Sequence, residues 1–336
     1  MHPDAVRDAG RVAHGGSDDP DVLDFSANTT PRTPPGTRAA YTAALDDAAR
    51  YPDDDYPAFR AAAADHVDCA PDTVVQTPGG LAGIRLAIET RVTPGDTVLV
   101  PAPSFSEYAR EVELQGATPV FVPHDALLDA DPSEHTLAIA CTPNNPTGDR
   151  YDDDALRAFA ARCRAANTEL LVDEAFLGFT DAPSIAGTPG VVVARSLTKL
   201  FGLPGLRAGF LVAVGDRLTT LRTARRTWNL GAPAAAVGAH AMRQAEFVAE
   251  TRRRVASERA RMRAALSDAF DVYPSSAPFL LLDVGPRPVD AVMAAASAEG
   301  IKLRDATTFR GLDSHVRVAV RTPDENDRLL AALADV

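Results

Sequence analysis

Seven short runs rich in aliphatic and β-branched residues recur between positions 72 and 215: DTVVQ, DTVLVPAP, ATPVFVP, HTLAIACTP, ELLVDEAF, GVVVARS and AGFLVAVG. Alanine-rich stretches of helical composition lie between them. Several runs are nearly continuous in apolar character instead of alternating, which is the pattern of strands covered on both faces. The alternation of strand and helix predicts an α/β fold, with a mostly parallel seven-stranded sheet covered by helices over residues 36–235. Open sheets of this kind bind ligands at the carboxyl ends of their strands. Those ends read PAPSF, CTPNNPTG, VDEAF and SLTK, and they hold most of the unusual polar residues.

After Trp228 the pattern changes. A long arginine- and alanine-rich region over 233–268 is expected to be helical, followed by short strands at FLLLDVG, IKLRD and HVRVAVRT. Residues 236–336, joined by 1–35, are expected to form a smaller α+β unit. The first segment has little periodicity beyond VLDFS, and it is expected to contribute a substrate-binding loop.

Composition narrows the class. The 336 residues are 46% hydrophobic and 24% charged, with no apolar run long enough to span a membrane. MHPDAVRDAG lacks a cationic segment leading into an apolar one, so no secretory signal is expected. Cys69, Cys141 and Cys163 are far apart and predict reduced thiols in a cytoplasmic protein. A net charge of −12 argues against a nucleic-acid surface. The runs Asp53–Asp55 and Asp152–Asp154 predict solvated faces, and no metal site is expected. Aspartate-rich, lysine-poor surfaces suit a salt-rich cytoplasm, although a GC-rich genome gives part of the same pattern.

Of 34 basic residues only Lys199 and Lys302 are lysines. Three readings compete for Lys199, in SLTKLFGLPGLRAGF. It could be a surface or ion-paired lysine. It could close the S-x-x-K of a serine acyl-transfer enzyme, but that class needs a K-T-G element and Lys302 precedes leucine. A P-loop is excluded because no G-K-[ST] exists. The third reading is an amine that condenses with an aldehyde cofactor, a role arginine cannot fill. Pyridoxal phosphate then needs a carboxylate at its ring nitrogen, phosphate donors, a hydrogen bond to its 3-oxygen and a flat partner. Each has a candidate at a strand end.

In this order the motifs resemble the fold-type I pyridoxal-phosphate enzymes of the aspartate aminotransferase superfamily, over almost the whole chain. The resemblance implies pyridoxal 5′-phosphate on Lys199, with Ser196 and Arg207 at its phosphate. Asp173 of VDEAF would face the pyridinium, Asn145 of CTPNNPTG the 3-oxygen, and Phe105 of PSF the ring. The turn Gly79-Gly80-Leu81 would offer backbone N–H groups to the phosphate at a helix start. Tyr51 of RYPD would reach the phosphate in the neighbouring subunit, implying a homodimer with shared sites.

HGG at 14–16, LDFSAN at 23–28 and the tail from IKLRD onward resemble the threonine-phosphate decarboxylase branch, whose near relatives are histidinol-phosphate aminotransferases. Phe176 fits that branch, because the aminotransferases usually carry a tyrosine there. A small phosphorylated amino acid is then the implied substrate. Arg317 would clamp its carboxylate and Arg304 would complete the anion site. His14, the Gly15 amide and Asn28 would reach its phosphate, while Arg321 could assist or be structural. Two departures stand out: Gly80-Leu81 where relatives carry glutamate and threonine, and Asn229-Leu230-Gly231 after Trp228.

Overall fold

In the computed structural model, which describes residues 1–334, each of the seven apolar runs forms a strand. A two-residue strand β1 (Leu23–Asp24) precedes β2 (Val74–Thr77), β3 (Thr97–Ala102), β4 (Thr118–Pro123), β5 (Leu137–Cys141), β6 (Glu169–Asp173), β7 (Val191–Ser196) and β8 (Gly209–Val212). The last seven make one sheet in the order β2-β8-β7-β6-β5-β3-β4. Neighbours from β7 through β4 are parallel, and β8 runs antiparallel to both β7 and β2. The sheet is therefore mixed and mostly parallel, as expected.

The continuous apolar runs follow from this burial. Every residue of β5 and β6 is buried. Ala138 and Ala140 of β5 pack into one core with Phe159 and Cys163 of the helix Asp153–Ala165. Leu137, Ile139 and Cys141 enter the other with Ile84, Ala87 and Ile88 of the helix Gly80–Glu89. Register then levels the strand ends: Cys141 lies beside Asp173, Asp173 beside Ala194, and Ser196 beside Gly209.

The C-terminal part adds β9 (Asp271–Val272), β10 (Phe279–Asp283), β11 (Ile301–Lys302), β12 (Arg304–Asp305) and β13 (His315–Ala319). Four of these form an antiparallel sheet ordered β12-β13-β10-β9. IKLRD, expected to be one strand, breaks at Leu303. Its first half pairs in parallel with β1 and its second half pairs with β13. The helical region expected over 233–268 is built of two helices, Ala232–Met242 and Ala245–Leu266. β9, only two residues long, has no sequence signal of its own.

The first segment is stitched to the C-terminal part, to β11 in a separate two-stranded sheet and to the end of β13. Leu23 N–H donates to Gly300 O, Phe25 N–H to Lys302 O, and Ala319 N–H to Phe25 O, at 2.8–2.9 Å. The expected second unit ends with residues 335 and 336, which lie outside the described residues. Among the described residues no helix is long and apolar enough to cross a membrane, and no cluster of potential metal ligands occurs. All three cysteines are free thiols.

Candidate active site

The levelled strand ends, the start of the helix Gly80–Glu89 and the first segment enclose a cavity of about 290 Å³. Lys199 lines it, together with Leu81, Phe105, Asn145, Asp173 and Phe176. Burial pushes the Lys199 ammonium down from 10.5 to about 8, with repulsion from Arg317 and Arg207 adding to the effect and Asp173 opposing it. Its Nζ lies 5.9 Å from the Phe176 ring centroid. An amine so placed becomes a nucleophile near neutral pH.

Asp173 ends β6 and is buried. Its Oδ1 accepts the Ala175 N–H at 2.9 Å, and its Oδ2 accepts the Tyr108 hydroxyl at 2.6 Å. Burial pushes the carboxyl up from its usual range, while both hydrogen bonds favour the ionised form. Burial also drives the Tyr108 hydroxyl well above 10, so Tyr108 remains the donor. A cation at the cavity floor would complete this carboxylate's partners.

A second end of the cavity suits a phosphate. The Arg207 backbone is left-handed, with φ 53°, and Gly79 has φ 97°. A Cβ on Gly79 would lie 2.7 Å from Arg207 Nη2, so the guanidinium rests across the glycine at the helix start. Leu81 and the Gly80 backbone line the same end. Ser196 Oγ sits 2.8 Å from Thr198 Oγ1, giving a hydroxyl pair beside them. Backbone N–H groups, two hydroxyls and one guanidinium form an anion cradle that lacks no donor type.

The opposite wall is cationic. Arg304 and Arg317 are register partners across β12 and β13, and both are buried. Burial, then repulsion from Arg304, pulls the Arg317 guanidinium down to about 9. Arg317 Nη2 donates to Ser26 O at 2.9 Å and Nη1 donates to Asn145 Oδ1. Arg304 Nη2 donates to Ala13 O and Thr308 Oγ1. Asn28 is 3% exposed, yet its Oδ1 has no protein hydrogen-bond partner. His14 Nε2 lies 2.8 Å from Glu107 Oε1, and a Cβ on Gly15 would collide with the Ser26 carbonyl.

The structure thus brings together every residue singled out for the cofactor or substrate except Tyr51 and Arg321, with Gly79 contributing through Arg207. Tyr51 is 76% exposed, stacked 4.1 Å from Trp228 at a separate surface hollow. Arg321 is structural, joining Asp24 O to Glu325. Tyr108, Thr198 and Glu107 escaped the sequence reading. Thr198 stood inside the quoted lysine loop, where its hydroxyl was the available signal. Tyr108 and Glu107 carried none, since SEYAREVE reads as an ordinary helix.

Comparisons with known proteins agree with this geometry. The sequence pattern described as "Aminotransferase class I and II" matches residues 20–333. The chain is 32% identical to threonine-phosphate decarboxylase of Salmonella typhimurium, covering 100% of this chain and 96% of that protein. It is 33% identical to histidinol-phosphate aminotransferase of Symbiobacterium thermophilum, over 93% and 90% of the two chains. Among solved structures, histidinol-phosphate aminotransferase from Sinorhizobium meliloti in complex with pyridoxal-5′-phosphate superposes with a TM-score of 0.81. It is 22% identical and covers 100% of this chain and 94% of that one. With its lysine, its aspartate and its anion cradle set in that fold, the chain belongs to the class I and II aminotransferase family.

Proposed function

We propose that the chain is a pyridoxal 5′-phosphate enzyme that decarboxylates L-threonine O-3-phosphate to (R)-1-amino-2-propanol O-2-phosphate. When bound, the cofactor supplies an aldehyde that condenses with amines and a protonated ring that accepts electrons released at the substrate Cα. Lys199 provides the resident amine. Asp173, its charge supported by Tyr108 and Ala175 N–H, keeps a proton at the ring nitrogen. Arg207, Ser196, Thr198 and the Gly79-Gly80 backbone hold the cofactor phosphate, and Phe105 and Asn145 fix the ring. Tyr51 of a second copy reaches the same phosphate in a homodimer.

The observation that carries the substrate reading is the buried pair Arg304 and Arg317, since two fixed guanidiniums on one wall call for an anion on the substrate. Holding the carboxylate there selects the bond from Cα to the carboxylate for cleavage. Carbon dioxide leaves, and Lys199, the lysine lining the cavity, returns a proton to Cα. His14, Gly15 N–H and Asn28 receive the substrate phosphate. Phe176 supports the same reading, because it sets hydrocarbon beside Lys199 where the related aminotransferases usually have a tyrosine.

The second reading, phosphate-recognising transamination, is favoured by the comparable similarity to histidinol-phosphate aminotransferase. Incubation with threonine phosphate in the absence of any keto acid separates the two. Stoichiometric carbon dioxide with sustained turnover is expected. Turnover that appears only when a keto acid is added, with pyridoxamine phosphate accumulating, would establish the aminotransferase.

A further inference from the structure

Glu107 opens the helix Glu107–Glu113, two residues after Phe105, and its carboxylate is buried. Oε1 lies 2.8 Å from His14 Nε2, and Oε2 takes Arg110 Nη1 at 3.3 Å. His14 is half-exposed, lines the cavity, and tilts against Phe105 at 5.8 Å between ring centroids. We infer that Glu107 is a positioning residue for phosphate selection, holding His14 by Nε2 so that Nδ1 is the ring atom left to meet a substrate phosphate. This rests on the proposed role of His14 at that phosphate.

The chemistry follows from what each atom can donate. An ionised carboxylate only accepts, so Nε2 carries a proton whenever Glu107 is charged. With that proton fixed, a neutral ring presents a lone pair at Nδ1, which repels a phosphate dianion. Contact requires one more proton, either on Nδ1 or on the phosphate as a monoanion that donates to Nδ1. A phosphorylated substrate therefore binds together with one proton, and its unphosphorylated counterpart does not.

The other charges facing this pair do not substitute for it. Arg110 is shared between Glu107 and Glu111, at 3.3 and 3.5 Å, and Glu111 also binds Arg85. From β12, Arg304 is committed to Ala13 O and Thr308, and from β11 Lys302 donates to Gly16 O. Asp24 is occupied by Ser26 and the Ser17 N–H. Lys199, Arg207, Arg317 and Asp173 line the same cavity as His14. Glu107 is left as the carboxylate bonded to His14.

The test uses the holoenzyme and the Glu107→Gln variant, whose amide oxygen can still accept from Nε2 while the charge is lost. The ratio of kcat/KM for threonine phosphate to that for threonine is measured against pH. In Glu107→Gln, whose amide can also donate and so no longer fixes the proton on Nε2, the ratio at pH 8 should fall roughly tenfold. At acid pH the ratio should match the wild type. His14→Gln, altered at the exposed partner, should leave only the pH dependence of the substrate phosphate itself, even if the buried variant does not fold. The His14 ring tautomer, read by ¹⁵N NMR with inorganic phosphate as probe, should lose its preference for a proton on Nε2 in Glu107→Gln whatever the true substrate is. Failure of wild-type turnover on threonine phosphate would remove the substrate reading alone. A His14 tautomer unchanged by Glu107→Gln would overturn the positioning role.

Discussion

Lys199 offers the sharpest quantitative test, because burial and two arginines act on one amine. Moving its pKa from 10.5 to about 8 makes the ammonium less favourable by about 3 kcal/mol. At pH 7 about one Lys199 in ten would then be a free amine, against about 3 in 10⁴ for an ordinary lysine, a ratio of roughly 300. Acetic anhydride, a small neutral reagent, reacts only with the free amine. The cofactor-free protein is pulsed with it across pH 6–11, and acetylation is read by mass spectrometry. The other lysine, Lys302, is an exposed internal reference. The Lys199 profile should reach its midpoint near pH 8. In Arg317→Met the midpoint should rise, since that guanidinium is the largest cause after burial, yet stay below 10.5 because burial remains. A Lys199 midpoint at or above 10.5, or one indifferent to Arg317, would refute the electrostatic account.

Three further outcomes are expected. Asp173→Asn should slow turnover about 10²- to 10⁴-fold, roughly 3–5 kcal/mol of barrier, because the electron sink weakens; near-normal rates would mean another group holds the ring proton. Tyr108→Phe removes a hydrogen bond that depresses the Asp173 pKa, so protonation should intrude at higher pH and the acid limb of kcat/KM should move upward. Losing one hydrogen bond to a charge corresponds to about 1.5–3 kcal/mol, and an unmoved limb would leave Tyr108 a packing residue. Mixing inactive Lys199→Ala with Tyr51→Phe chains should restore activity through hybrid dimers carrying one intact site, whereas a fully active monomer would end the shared-site proposal.

What could be read from the chain depended on whether the signal was local. β5 and β6 announced themselves because both of their faces meet helices, leaving apolar runs without alternation. Lys199 stood out because arginine fills almost every other basic position. Asp173, Asn145 and Arg207 lay in short motifs whose order carried the resemblance. Tyr108 did not, since its partner is 65 residues away and their meeting depends on strand register. The same holds for Glu107 and His14, separated by 93 residues. IKLRD read as one strand because nothing in five residues signals that its halves join different sheets. The break at Arg243-Gln244 contains neither glycine nor proline, so periodicity ran through it.

Arg304 and Arg317, neighbours across a strand pair and both hidden from water, repel each other in the folded chain and not in the unfolded one. An anion that settles between them therefore binds the native form alone. By mass action, such an anion at a hundred times its dissociation constant adds about 2.7 kcal/mol to the free energy of unfolding. Total stabilities of folded proteins are only about 5–15 kcal/mol. Supply of such an anion would then protect the folded chain, and its depletion would leave more copies open to proteases.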